Sequence, residues 1–120
     1  MYVIFDIDGV IYNTPVALVN LYNEVYNDNV DVSVCRQWNL SQAKYITCNE
    51  DVEQLFENPK LYQPENIMDG AIELVNKLGK QAKMATIGRA SNIYNKAKNI
   101  IDPFFNDIQL IGIIKREPKI

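Results

Sequence analysis

Two acids near the start of the chain have side chains and a spacing that suit nucleophilic and acid–base chemistry. Asp6 and Asp8 are two positions apart, and Gly9 follows Asp8 directly. If a strand ends at Asp6 and the chain turns at Gly9, both carboxylates face one crevice, where one can act as nucleophile and the other as general acid and base. Crowded carboxylates repel each other, so a hard cation such as Mg²⁺ is expected between them. The alternative is a simple turn, because DxDG also occurs in calcium loops, although the acidic ladder of an EF-hand is missing here.

Two further polar side chains stand at the ends of apolar runs. Thr86 lies at the end of the run 82–87, and Lys115 directly follows the run 108–114. Ligands of an open α/β sheet bind outside the carboxyl ends of its strands, so we expect these side chains near the two acids. The alternatives are an ordinary strand threonine and a solvated basic tail.

The elements that must position these residues alternate along the chain. Short apolar runs predict strands at 2–6, 82–87 and 108–114, and the first of them is typical of a strand buried in a parallel sheet. Spacings of three and four predict helices at 15–26, 49–57, 70–78 and 92–101. This order predicts an α/β fold, with a parallel, Rossmann-like sheet flanked by helices and joined by right-handed crossovers.

One segment is too long to be a simple crossover helix. Residues 15–66 separate the first strand from the next strand–helix unit. We therefore predict a small helical cap at 15–66, lying over the strand ends, and an α/β core made of residues 1–14 and 67–120.

Composition excludes several classes of function. The chain has no histidine, which excludes His-ligated zinc and a Ser-His-Asp triad. A net charge of -3 without a basic run argues against a nucleic-acid polymer as partner, and no apolar run approaches the roughly 20 residues of a membrane span. Cys35 and Cys48 lack CxxC spacing, and the N-terminus has no signal-peptide pattern. We expect buried, reduced cysteines and a cytoplasmic location.

The segment from Phe5 to Thr14, FDIDGVIYNT, resembles the first motif of haloacid dehalogenase (HAD) superfamily phosphatases, hhhDxDGVhxxT. The resemblance implies a HAD-type fold in which Asp6 attacks phosphorus and forms an aspartyl-phosphate. Asp8 would protonate the leaving oxygen and then activate water, and both acids would hold Mg²⁺. An acid at the second position favours phosphate-ester hydrolysis over dehalogenation or ATP-driven transport.

Two later segments are similar to further motifs of the same superfamily. The segment 84–87, MATI, is similar to the second motif and implies phosphate contacts from Thr86 and Ile87. The segment 115–120, KREPKI, is similar to the KPxPxI context of the third motif, whose lysine neutralises transition-state charge. That lysine is here Lys115, with Lys119 as the competing candidate. The acid pair of the fourth motif does not occur after it within the 120 residues. The expected core is therefore truncated at its C-terminal side, and its open sheet edge invites self-association.

The layout also resembles the 5′(3′)-deoxyribonucleotidase branch, which implies a small phosphorylated substrate, a (deoxy)nucleoside monophosphate. Aromatic side chains over the crevice can stack a nucleobase, and basic ones can contact a nucleotide, although core packing and solvation are the simpler explanations. The substrate-binding candidates are Tyr12, Trp38, Tyr45 and Arg89. The rival hypothesis is a catalytically impaired HAD-like module that binds a phosphorylated ligand or a protein partner.

Overall fold

The centre of the fold is a three-stranded parallel sheet with the strand order β1-β2-β3. The computed structural model describes residues 1–34, 42–105 and 107–115. Strand β1 spans Val3–Asp6, β2 spans Ala82–Gly88 and β3 spans Gln109–Ile114. Parallel pairing brings the three carboxyl ends to one edge, with Asp6 opposite Ala85. The predicted parallel α/β sheet is confirmed.

The helices follow the predicted order with small shifts at their ends. They are α1 (Thr14–Tyr26), α2 (Asn49–Glu57), α3 (Ala71–Leu78), α4 (Ala90–Lys96) and the short α5 (Asp102–Phe104). Between α4 and α5 the chain makes a π-helical turn at Ala97–Ile101. Pro103 has no N–H for an ordinary helical hydrogen bond, which favours a widened turn just before it. Among the described residues, no helix is long and apolar enough to cross a bilayer.

The two faces of the sheet differ in burial. Met84 and Thr86 are buried on the face that α4 covers, whereas Ile4 and Ile87, on the opposite face, are 59% and 62% exposed. The expectation of a fully buried first strand is therefore wrong. The physical reason is that β1 is an edge strand, and the helices α3 and α4 contact β2 on one face.

Asparagine side chains of α4 and of the π-helical turn form hydrogen bonds with the backbone of α2 and of the turn after it. Asn92 donates to the Phe56 carbonyl at 2.6 Å, Asn95 to the Glu57 carbonyl at 3.0 Å, and Asn99 to the Pro59 carbonyl at 3.1 Å. The last carbonyls of a helix lack partners within the helix, so these amides satisfy acceptors that would otherwise need water. This places α2 beside the carboxyl ends of β2 and β3. The division into a core and a cap over 15–66 stays a prediction.

The cysteine next to α2 is not buried as expected. Cys48 is exposed because it precedes the first residue of α2, and its backbone N–H donates to the Asp51 carboxylate at 3.3 Å. Cys35 lies outside the described residues.

Candidate active site

The first acid stands at the end of β1 with its carboxylate open to a cavity. This cavity, called here the sheet-edge cavity, has a volume of about 440 Å³. It is lined by Asp6, Asp8, Ala85, Thr86, Ile87 and Ile113. Within the described part of the chain, the Asp6 carboxylate makes no hydrogen bond or ion pair. The fold thus brings Asp6, Asp8, Thr86 and Ile87 to one place and leaves the first of them without a partner there.

The second acid is held in a tight turn by three donors. The Ile7 carbonyl accepts from three successive backbone N–H groups, and Gly9, at φ 83°, allows the chain to reverse. Asp8 Oδ1 accepts from Thr14 Oγ1 and from the Tyr62 hydroxyl, both at 2.9 Å. Asp8 Oδ2 pairs with Lys96 Nζ at 2.7 Å. Both carboxylate oxygens are therefore occupied and the carboxyl plane is fixed.

Lys96 is a buried cation in direct contact with the second acid, and sequence reasoning missed it. Its side chain is 1% exposed, and Nζ donates to Thr86 Oγ1 at 2.7 Å as well as pairing with Asp8. A signal was present in the sequence, because Asn92, Lys96 and Ile100 recur every fourth residue on one face of a predicted helix. All three are buried. A lysine on the inner face of a helix needs an acidic partner, and the acids of the first motif supply it.

Tyr62 was also missed as a site residue. It is fully buried, and its ring lies 5.0 Å from the ring of Tyr12 between centroids. Its hydroxyl accepts from the Asn92 amide at 3.1 Å and donates to Asp8. Burial, and then the negative charge of Asp8, hold the pKa of Tyr62 far above its ordinary value of 10.0. The hydroxyl is therefore a proton donor at neutral pH.

The two predicted basic contacts line a second cavity, but carboxylates of α2 already pair with them. This cap cavity, of about 220 Å³, has Asp8, Glu53, Phe56, Gly88, Arg89 and Lys115 among its walls. Lys115 Nζ pairs with Glu53, while its backbone N–H donates to the Gly88 carbonyl at 2.8 Å. The Arg89 guanidinium contacts Glu50 and Glu57 at 2.8 Å and Glu53 at 3.7 Å. Lys115 is thus beside the site, although Lys96 occupies the position between Asp8 and Thr86.

Of the predicted aromatic contacts, Tyr12 and Tyr45 line neither cavity. The hydroxyl of buried Tyr12 donates to the Leu61 carbonyl at 2.6 Å and accepts from the Gln63 N–H at 2.7 Å. Tyr45 stacks on Tyr26, with ring centroids 6.0 Å apart. Trp38 and the alternative lysine, Lys119, lie outside the described residues. The substrate roles of these aromatic residues stay predictions.

The donor set suits a magnesium ion held by few protein ligands. The described residues contain no cluster of three or more acidic, histidine or cysteine side chains that could hold a metal ion. Mg²⁺ typically keeps several waters and takes one or two carboxylates together with a substrate phosphate. The unpaired carboxylate of Asp6 fits that requirement, whereas Asp8 has one lone pair left on Oδ2 beside its contacts with Thr14, Tyr62 and Lys96.

Comparison with known proteins agrees with this geometry. The family model described as "5′ nucleotidase, deoxy (Pyrimidine), cytosolic type C protein" matches residues 1–113. The match spans Asp6, Asp8, Thr86 and Lys96, so it covers the groups that meet at the sheet edge. It confirms the resemblance to HAD-type nucleotidases. No curated protein and no solved structure gave a match.

Proposed function

The chain belongs to the family of cytosolic type C 5′-nucleotidases, and on that premise we propose that it is a Mg²⁺-dependent phosphatase acting on a (deoxy)nucleoside monophosphate. The observation that carries the proposal is the contrast between the two acids. Asp6 is open to the sheet-edge cavity, while Asp8, in the same cavity, is held by three donors. One acid is free to attack and the other is fixed in place.

Asp6 acts as the nucleophile. Its carboxylate oxygen attacks the phosphorus atom, the bond from phosphorus to the ester oxygen breaks, and an aspartyl-phosphate forms. Asp8 in its protonated form gives a proton to the departing nucleoside oxygen. In the second half-reaction Asp8 takes a proton from the water that attacks the phosphorus atom, which releases phosphate and restores Asp6.

Thr86 and Lys96 bind the phosphoryl oxygens. Since the Thr86 hydroxyl accepts from Lys96 Nζ, its own hydrogen is available to a phosphoryl oxygen in the cavity. The buried ammonium group supplies positive charge in a place where water does not screen it. The backbone of Ile87 follows Thr86 at the same edge, and Lys115 becomes a second cation if it leaves Glu53.

Mg²⁺ would be held by Asp6. When bound, the ion supplies Lewis-acid neutralisation of phosphate charge. Asp8 would be a second ligand through Oδ2, which has Lys96 as its one donor and keeps a lone pair. The cytosolic description of the family supports the predicted cytoplasmic location.

The test is phosphate release from deoxyuridine 5′-monophosphate and from 4-nitrophenyl phosphate, each with Mg²⁺ and with excess chelator. We expect turnover with Mg²⁺ and none with chelator, and Asp6→Asn should abolish it. Unchanged activity of Asp6→Asn would overturn the mechanism, and the absence of turnover in the wild-type chain would overturn the function.

A phosphate-ligand binding module is the second candidate. The observation in its favour is that the cations of the cap cavity, Arg89 and Lys115, are already paired with glutamates of α2. Calorimetry that shows nucleotide binding without turnover would favour this module over the phosphatase.

A further inference from the structure

A line of hydrogen bonds runs from the cap segment to the second acid. It begins at the Phe56 carbonyl of α2, which accepts from Asn92 Nδ2 at 2.6 Å. The same amide nitrogen donates to the Tyr62 hydroxyl at 3.1 Å, and that hydroxyl donates to Asp8 Oδ1 at 2.9 Å. Four groups from separate parts of the chain are thus joined in series.

The chemistry of each group fixes the direction of this line. A carbonyl only accepts, so the nitrogen side of the Asn92 amide must face Phe56. An amide nitrogen only donates, so the Tyr62 hydroxyl must accept from it and direct its own proton elsewhere. Asp8 Oδ1 is the acceptor in reach. The hydroxyl cannot turn away from Asp8 without losing a bond at each end.

Packing prevents the Tyr62 side chain from moving away from Asp8. Its ring is fully buried between the ring of Tyr12 and the ammonium group of Lys96, which lies 5.6 Å from its centroid. Gly88 leaves room for Asn92 because a Cβ at that position would overlap Asn92 Oδ1. Packing therefore holds the side chains of Tyr62 and Asn92 in place.

We propose that Tyr62, oriented by Asn92, is a positioning residue that fixes the carboxyl of Asp8 for proton transfer to the leaving oxygen. This inference rests on the proposed function and adds a residue of the cap segment to its acid–base step. Tyr62 does not touch the reacting atoms in this role. It holds the orientation of the group that does.

The proposal predicts an effect that depends on the leaving group. A nucleoside alkoxide needs a proton as it departs, whereas 4-nitrophenolate leaves without one. In Tyr62→Phe, the rate of the phosphorylation step with deoxyuridine 5′-monophosphate, read as deoxyuridine release in the first turnover, should fall about 10-fold, because a hydrogen bond to a charged group is lost while Thr14 still holds the same oxygen. With 4-nitrophenyl phosphate the rate of the same step, read from the initial burst of 4-nitrophenolate, should change less than about twofold.

Tyr12→Phe is the matched control. Tyr12 is an equally buried phenol that stacks on Tyr62, but its hydroxyl bonds to Leu61 and Gln63 instead of Asp8. This variant should change the rate of the phosphorylation step equally for both substrates. Asp8→Asn, in contrast, should show the same selective loss in the phosphorylation step in a stronger form, about 100-fold or more for the nucleotide, while it slows hydrolysis of the aspartyl-phosphate for both esters.

A selective loss in Tyr62→Phe supports the proposal, and an equal loss or no loss for the two substrates overturns it. A proton NMR arm decides independently of turnover. The buried Tyr62 hydroxyl should give a slowly exchanging downfield signal that is absent in Tyr62→Phe and moves upfield in Asp8→Asn. A signal that does not move in Asp8→Asn would overturn the proposal, whether or not the chain hydrolyses either ester. Hydrolysis of neither ester, in contrast, would overturn the proposed function.

Discussion

Replacing Lys96 by methionine tests whether phosphate is bound by this buried lysine or by Lys115, which the sequence motif favoured. Methionine has a similar length and fills the space under Tyr62, but it removes the charge between Asp8 and Thr86. The structure gives that charge two short contacts, both 2.7 Å, and no exposure to solvent. The substitution therefore removes electrostatics while it disturbs packing little.

The effect on stability should be moderate. Breaking a fully buried ion pair from one side costs about 3–5 kcal/mol. The Asp8 side chain is 18% exposed and keeps donors from Thr14 and Tyr62, so its carboxylate is not stranded. We expect Lys96→Met to cost about 2 kcal/mol, which lowers Tm by about 8 °C for a chain of this size.

The effect on catalysis should be much larger. Loss of one preorganised group that stabilises transition-state charge lowers kcat about 100- to 1000-fold. Phosphate release from deoxyuridine 5′-monophosphate is measured at a temperature where thermal melts show the variant to be folded. Lys115→Met is the matched control, because its side chain is 53% exposed and pairs with Glu53 at the rim. It should leave Tm almost unchanged and lower kcat less than about 10-fold.

The opposite pattern would refute this reasoning. If Lys96→Met keeps more than about a third of wild-type kcat while Lys115→Met loses activity, Lys115 is the phosphate-binding lysine and Lys96 is structural. The same conclusion would follow if both variants lost activity only in proportion to the fraction unfolded.

Four other predictions concern packing, pH, metal and assembly. Gly88→Ala should cost about 2 kcal/mol in urea unfolding, because the new methyl displaces the Asn92 amide from its two acceptors; an unchanged midpoint would contradict this. The Arg89 guanidinium holds the pKa of Glu50 below its ordinary 4.5, so that contribution to stability is complete above pH 4.5 and is lost as the pH falls through the lower folded value. Wild type should thus lose more stability than Glu50→Gln between about pH 5 and about pH 3 in urea melts. Removing Mg²⁺ with excess chelator should abolish phosphate release, and restoring it should recover the rate; activity that survives chelation would count against a metal-dependent reaction. The exposed apolar residues of β1 and β3 predict self-association, against which a monomer in sedimentation at micromolar concentration would count.

The sheet and its polar edge were predictable because their signals are local. An apolar run that ends in DxDG, followed by two strand–helix alternations, fixes which side chains reach the carboxyl edge of a parallel sheet. Asp6, Asp8 and Thr86 meet there as expected. The family match over residues 1–113 agrees with the motif from which this was inferred.

The positions of the remaining site residues depend on tertiary packing, which no local sequence pattern predicts. Tyr62 directly follows the short turn Pro59–Leu61, and no spacing rule links it to an acid 54 positions earlier. Arg89 has the chemistry of a nucleotide contact, yet three glutamates of α2 pair with it. A long-range ion pair of this kind becomes visible only once α2 is placed over the sheet.

The central claim is that Asp6 becomes phosphorylated, and borohydride trapping tests it directly. The protein is mixed with deoxyuridine 5′-monophosphate and Mg²⁺, quenched during turnover and treated with borohydride, which reduces an acyl phosphate to an alcohol. Peptide mass spectrometry should then find homoserine at position 6, only in the presence of substrate and never in Asp6→Asn. Sustained turnover with Asp6 unmodified, or with the label at Asp8 instead, would contradict the account.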